Sequence, residues 1–232
     1  MHVTAVVVAA GAGRRIGGEI AKSYLPIAGR PLLLRTLDRV FEAKSVEQVV
    51  LVAAAPDIER CDAMLRSDFA LRGRSCELQF GGTTRQQSVK RGLEKIAKET
   101  DLVVIHDGAR PFASAALIDR CVKSAADKRA VVVGLPVRDT IKVVGDDRQI
   151  ESTPDRRTLW EIQTPQVFQK DLIMAAHARA KSDGFEATDD AMLVERLGET
   201  VYVVEGERTN LKITLPEDIW LAEAMIRDGR VR

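Results

Sequence analysis

The stretch TAVVVAAGAGRRIGG, Thr4 to Gly18, decides how the rest of the chain is read. Its first half, Thr4–Ala10, is apolar or small without alternation, the pattern of a strand covered on both faces. The second half breaks into glycines that carry Arg14 and Arg15. A buried strand that leaves through a glycine turn belongs to an open α/β sheet, where ligands collect at the carboxyl ends of strands.

Outward from that stretch, strand-length apolar runs alternate with longer segments of helical period. Glu47–Ala54, Cys76–Phe80, Asp101–Pro111 and Ala130–Val137 read as further strands, the third leaving into a loop. Arg30–Ala43, a segment from Pro56 and Asp57 towards Phe69, and Gln87–Glu99 read as helices. Ser114 is placed to cap the helix that follows it. Further on, Lys170–Lys181 and Asp189–Leu197 read as helices, Thr200–Val204 as a strand, and a last helix starts at Pro216 with Glu217 and Asp218 in its first turn. This order predicts a Rossmann-like, mostly parallel sheet flanked by helices, with residues 1–232 forming a single domain. Arg138–Trp160 departs from the pattern: two polar strands around a Gly-Asp turn, too poor in apolar surface to stand alone. The stretch 138–158 is therefore expected to protrude as a β-hairpin arm that lies against something else, another subunit being one choice.

Composition excludes several classes. The 232 residues carry 35 Lys and Arg against 34 Asp and Glu, a formal charge of +1, which argues against a general nucleic-acid or membrane-surface binder. Cys61, Cys76 and Cys121 are odd in number and widely spaced, so no disulfide framework or zinc site is suggested. No apolar run approaches the roughly 18 residues of a membrane span, and the chain opens directly on a strand pattern, so a cytoplasmic protein is expected.

The opening turn resembles a dinucleotide fingerprint and fails it. Gly11 and Gly13 fit, but Ile16 stands at the third glycine position, and the second strand exits as VAAAP without a ribose-binding acid. No Walker loop is present. Such a turn also serves as a plain strand-to-helix connection. Against that stand Arg14, Arg15 and Lys22 beside backbone N–H groups, a set suited to an anion. Gly81–Ser88 and Asp107–Arg110 lie at two other strand exits and join it. No Ser-His-Asp or Cys-His grouping accompanies them.

AAGAGRRIG followed by AKSYLPIAGRPLL resembles the signature of sugar-nucleotide-type nucleotidyltransferases. GGTTRQQSVKRGL, HDGARP, PVRDTIK, DRRTLWEIQTPQVF, TDDA and NLKIT, in that order along nearly the whole chain, are similar to the 2-C-methyl-D-erythritol 4-phosphate cytidylyltransferase family. That resemblance implies transfer of CMP from CTP to the polyol phosphate, with release of pyrophosphate. It implies CTP binding by Ala9, Ala10, Gly11, Ala12, Gly13, Arg15, Lys22, Gly81, Gly82 and Ser88, the last three reading cytosine. It implies polyol phosphate binding by Asp107, Arg110, Thr140, Arg156, Thr164, Thr188 and Lys212. By the same resemblance Arg15, Lys22, Arg156 and Lys212 are expected to be the catalytic cations, and Asp107 the ligand of a Mg²⁺ carried with the triphosphate. The arm becomes a homodimerisation element that places Thr140 and Arg156 in the partner's site.

Physical chemistry agrees with those roles. A phosphate monoester has a second pKa of about 6 and needs no general base at neutral pH. The reaction instead needs positive charge to bring two anions together and to neutralise the leaving group. His106 fits a packed neighbour better than a base, and Arg85 fits a pin for its loop. Three positions depart from the family pattern: Val8 replaces a common proline, Ser23 a glutamine, and Thr209 an acid before the NLK segment. The last leaves Asp107 and the triphosphate as metal ligands. Three rivals remain: a ribitol 5-phosphate cytidylyltransferase, a nicotinamide-binding oxidoreductase, and a catalytically inactive nucleotide-binding regulator, which the presence of Arg15, Lys22, Arg156 and Lys212 opposes. VRDTIK and DRRTLW weigh against the first, and the broken fingerprint against the second.

Overall fold

In the computed structural model, which describes residues 1–11, 21–68, 71 and 73–231, the apolar strands assemble into one sheet. β1 (His2–Ala9) is followed by a small ribbon, β2 (Pro26–Ile27) and β3 (Arg30–Pro31), and by α1 (Leu32–Glu42). Then come β4 (Gln48–Ala53), α2 (Ile58–Ser67), β5 (Cys76–Phe80), α3 (Arg85–Leu93), β6 (Thr100–Asp107), α4 (Ala115–Lys128) and β7 (Ala130–Pro136). The chain continues through β8 (Val143–Val144), β9 (Ile150–Ser152), β10 (Trp160–Gln169), α5 (Lys170–Asp183), α6 (Asp190–Glu195), β11 (Tyr202–Glu205) and α7 (Pro216–Arg227).

The sheet order is β11-β7-β10-β6-β1-β4-β5. β1 pairs in parallel with β4 and β6, β4 with β5, and β11 with β7. β10 alone among these runs antiparallel to its neighbours, β6 and β7. The sheet is thus mostly parallel, as expected, but the sequence reading had no strand over 160–169. Gln163, Thr164 and Gln166 interrupt the apolar run, and a proline inside a run argues against a central strand. Pro165 lies within the irregularity between Gln163 and Gln166, where the pairing with β7 shifts register and its missing N–H is tolerated.

Side chains of β1 feed both layers. Val3, Ala5 and Val7 pack with Leu33 and Leu37 of α1 and Leu117 and Cys121 of α4. Val6 points the other way, to Val89 and Leu93 of α3 and Leu172 and Ile173 of α5. That two-sided burial is why Thr4–Ala10 shows no alternation. A smaller cluster of Ile27, Leu32, Phe112, Ile213 and Ala222 seats α7 beside the start of α1.

α3 is drawn hard against the sheet. A Cβ at Gly92 would overlap the Val6 side chain and lie 2.9 Å from Val52 Cγ2. The helix starts two residues earlier and stops sooner than the predicted Gln87–Glu99, because the chain then turns to enter β6, with Ala97 N–H bonded to the Gln48 side chain. Thr84, Ser114 and Asp189 cap α3, α4 and α6 by accepting from the N–H groups of Gln87, Leu117 and Met192. Such caps stabilise a helix by about 1 kcal/mol each.

β8 and β9 pair with each other apart from the main sheet and are exposed throughout, shorter than the hairpin strands read from sequence. Among the described residues, no helix is long and apolar enough to cross a membrane.

Cys61 and Cys121 are buried and Cys76 is partly so. Burial pushes their thiols up to about 11 (Cys61) and about 12 (Cys76 and Cys121). Because the thiolate is the nucleophile, the folded protein is expected to resist a disulfide reagent at neutral pH, labelling fast only once denatured. Rapid labelling without denaturant would contradict this.

Candidate active site

A cavity of ≈ 450 Å³ opens where β1, β5 and β6 end. Ala9–Gly11 contribute from the exit of β1, Gly82 and Thr83 from the exit of β5, and Asp107 from the end of β6. Lys22, Arg85 and Lys212 bring cations to its wall. A smaller space of ≈ 120 Å³ is lined by Arg110, Gln163, Thr164 and Thr188. Arg85, Asp107 and Lys212 line both, so a charged partition separates two adjoining compartments. A further cavity of ≈ 450 Å³ lies between α3 and α5, lined by Lys90, His177, Lys181 and Phe185 among others. Of the strand exits it touches only Thr84, Gln86 and Gln87 beyond β5, and it lacks Lys22, Arg85, Asp107 and Lys212, which line the other two between them.

The partition is held by ion pairs. Lys212 Nζ lies 2.7 Å from Asp107 Oδ2, and Arg85 Nε lies 3.2 Å from Asp107 Oδ1. Arg85 Nη1 also reaches Asp190 Oδ2 at 2.7 Å, and His177 Nε2 lies 3.1 Å from Asp190 Oδ1. Burial pushes the Asp107 carboxyl up, but Arg85, Lys212 and Arg110 outweigh it and hold the group well below the usual range. Asp190 is likewise opposed by burial and lowered by Arg85 and His177. Burial disfavours the Arg85 charge, yet the two carboxylates dominate and keep it protonated.

A buried chain of hydrogen bonds supports this arrangement. Asp107 N–H donates to Thr164 Oγ1 at 3.0 Å, and Thr164 Oγ1 lies 3.0 Å from His106 Nδ1. His106 Nε2 is 3.2 Å from the Arg110 carbonyl, which only accepts. Nε2 therefore carries the proton, and Nδ1 accepts the threonine hydroxyl. Burial pushes His106 down to about 4, so it is neutral and serves as the packed neighbour expected of it. Arg110 Nη1 donates to the Asn210 carbonyl at 2.8 Å, and Asn210 Nδ2 donates to Gln163 Oε1 and the Thr164 carbonyl. The NLK segment is thereby tied to the QTPQ segment, bringing Lys212 to Asp107.

The exits of β1 and β5 meet. A Cβ at Gly81 would collide with Ala10, and one at Gly82 with Gln87. Gly82 N–H donates to Ser88 Oγ at 3.1 Å, and Ser88 donates to the Thr84 carbonyl at 2.9 Å. Ser88 is buried beneath the loop and supports it from α3. Lys22 donates to the Ile213 carbonyl at 2.7 Å from the cavity wall. Ala12, Gly13, Arg14 and Arg15 lie outside the described residues. Thr140 and Arg156 are exposed near the hairpin and line neither compartment, and Arg156 Nη1 donates to the Arg138 carbonyl at 2.9 Å. The sequence reading missed Asp190 and His177 as the anchor behind Arg85. Two adjacent acids in TDDA, one of them fully buried, were the available signal.

Mg²⁺ takes one or two carboxylates and fills its octahedron with phosphate oxygens and water. Asp107 is ionised and borders the large compartment. Among the described residues, no group of three His, Cys, Asp or Glu could hold a metal ion by itself. Asp107 is the one carboxylate among the described residues lining the large compartment that such an ion could use, and its two oxygens now face Lys212 and Arg85.

The sequence pattern of the 2-C-methyl-D-erythritol 4-phosphate cytidylyltransferases matches residues 3–228. The enzyme of that name from Caldanaerobacter subterraneus subsp. tengcongensis is 43% identical over 227 residues, 98% of this chain and 100% of the relative. The 4-diphosphocytidyl-2C-methyl-D-erythritol synthase of Anaerococcus prevotii superposes with a TM-score of 0.86 at 34% identity, covering 97% of this chain and 98% of the other. The cytidylyltransferase of Thermus thermophilus gives a TM-score of 0.79 at 36% identity, covering 98% and 100%.

Proposed function

This chain belongs to the 2-C-methyl-D-erythritol 4-phosphate cytidylyltransferase family, and from that premise we propose how its residues divide the reaction. It is a nucleotidyltransferase of the non-mevalonate isoprenoid pathway, transferring CMP from CTP to 2-C-methyl-D-erythritol 4-phosphate. One observation carries the proposed division of the site: two compartments of unequal size share the wall of Arg85, Asp107 and Lys212. CTP occupies the larger, its base at Gly81 and Gly82 and its phosphates at Ala9–Gly13, Arg15 and Lys22. The polyol phosphate occupies the smaller, beside Arg110, Thr164 and Thr188.

A phosphate oxygen of the polyol attacks the α-phosphorus and forms the new P–O bond. The bond from the α-phosphorus to the bridging oxygen breaks, and its electron pair leaves with pyrophosphate. Lys212, at the shared wall, holds the attacking anion in line, while Lys22 and Arg15 neutralise charge on the leaving side. No side chain has to take a proton, which agrees with a neutral, fully engaged His106. A bound Mg²⁺ would add charge neutralisation on the triphosphate beside Asp107.

The exposed hairpin supports a homodimer in which the arm delivers Thr140 and Arg156 to the partner's small compartment. Arg156→Ala is then expected to weaken use of the polyol phosphate far more than use of CTP. Mixing it with an equimolar Lys22→Ala protein should restore activity to about a quarter of the wild-type level, since random pairing leaves one intact site in half the dimers. Absence of restoration, with exchange of subunits verified, would contradict the crossed arm.

A further inference from the structure

The loop after β5 is clamped peptide by peptide. Gly81 N–H donates to the Ala53 carbonyl at 2.8 Å, and the Gly81 carbonyl accepts from Arg91 Nη1 at 2.8 Å. Gly82 N–H donates to Ser88 Oγ at 3.1 Å. Thr83 N–H and its hydroxyl both donate to Gln87 Oε1, at 3.1 and 2.9 Å. Arg91 and Ser88 therefore hold the same peptide unit, Gly81–Gly82, by its carbonyl and its N–H. A trans peptide carries those groups on opposite sides. With Thr83 N–H turned to Gln87, the Gly82 carbonyl faces the other way.

The consequence is chemical. The N–H groups of Gly81, Gly82 and Thr83 are all committed within the fold and the Gly81 carbonyl is taken by Arg91, so this stretch offers a base the Gly82 carbonyl oxygen and no main-chain donor. Cytosine carries an amino donor at the position where uracil carries an oxygen acceptor. An acceptor suits the first and is repelled by the second.

Arg91 is fixed for this task. Its guanidinium lies 4.6 Å from the centroid of the Phe80 ring, and Phe80 is half-exposed at the end of β5. Arg91 lines the cavity between α3 and α5 and not the nucleotide compartment. It therefore acts on the loop from behind. We propose that Arg91 is a positioning residue for pyrimidine selection: clamped between the Phe80 ring and the Gly81 carbonyl, it holds the loop so that the Gly82 carbonyl oxygen meets the base, favouring CTP over UTP. The inference rests on the reading of Gly81 and Gly82 as the base-binding loop.

Steady-state kinetics of the full chain with CTP and UTP test it. A hydrogen bond from a charged donor is at stake, so Arg91→Met is expected to raise KM for CTP by about tenfold and to lower the CTP/UTP ratio of kcat/KM similarly. The KM for the polyol phosphate should stay within about twofold, because that substrate makes no contact with the loop. Arg91→Lys, which keeps the charge over Phe80 but loses the planar fork, should recover part of the ratio. Equal losses with both nucleotides, the ratio unmoved, would overturn the role, as would a ratio that Arg91→Lys does not recover at all. Gly82→Ala separates the two levels. If it raises KM for CTP while Arg91→Met leaves the CTP/UTP ratio intact, the loop reading stands and the role of Arg91 falls. If neither variant alters CTP use, the loop reading falls and takes the proposal with it.

Discussion

Lys22→Ala is expected to lower turnover by two orders of magnitude or more, with KM for the polyol phosphate little changed. Removing an electrostatic contact made to a transferring group costs about 3–4 kcal/mol, and every ~1.4 kcal/mol is a factor of ten in rate. Lys22 opens a short turn of 3-10 helix, Lys22–Tyr24, and its ammonium group stands in the wall of the larger compartment. The hydrogen bond to the Ile213 carbonyl at 2.7 Å aims it there from the loop that also carries Lys212. Losing that bond, made by a charged donor, lowers stability by about 1.5–3 kcal/mol, less than the stability of a typical domain, so the variant should fold and bind CTP measurably. Rapid-quench kinetics at saturating substrate would separate the chemical step from binding. Near-normal turnover in a folded variant would remove Lys22 from the transition state.

Arg85→Met is expected to damage stability and activity together. Arg85 is the shared counter-ion of Asp107 and Asp190, at 3.2 and 2.7 Å. Asp107 keeps Lys212 nearby, but Asp190, fully buried, keeps only His177 from its ion-pair partners among the described residues. Breaking a buried pair by removing one partner costs about 3–5 kcal/mol, which in a chain of this size is a fall in melting midpoint on the order of ten degrees. The sign with pH follows from Asp190. In the wild type its pKa is depressed, so it contributes stability above the unfolded-state pKa of about 4, lost as pH falls through the lower folded value. Without Arg85, burial raises that pKa, and the ionised carboxylate becomes a penalty at neutral pH. The stability gap between wild type and variant should therefore be widest near neutrality and narrow on acidification. A constant gap from neutral pH down to about 4 would show that the Asp190 charge is not what Arg85 compensates.

Much of this architecture is legible in the sequence because burial writes it there. Val3–Val7 lack alternation since β1 meets helices on both faces, and that single run already implies a parallel sheet with sites at strand ends. Asp107 and Gly82 could be grouped in advance because each stands at the exit of a strand, Asp107 after the apolar run of β6 and Gly82 after the alternating CELQF of β5. β10 was not legible. Its polar centre and Pro165 mimic a loop, and only the neighbouring strands β6 and β7 make it a strand. The partition was also hidden, because Arg85 finds its carboxylates 22 and 105 residues away, a pairing that no local spacing records. The motif reading placed Ser88 at the base, and the fold adds that its hydroxyl already holds Gly82 N–H and the Thr84 carbonyl. For Thr140 and Arg156 the fold of one chain has nothing to add, since their proposed work lies in a second.

Pyrophosphate release from CTP tests the central claim most directly, measured with 2-C-methyl-D-erythritol 4-phosphate and with ribitol 5-phosphate as alternative acceptors. The two compartments predict saturable, acceptor-dependent release, and membership of the family predicts that it is fastest with the methylerythritol phosphate. Faster release with ribitol 5-phosphate, or none with either acceptor, would contradict it.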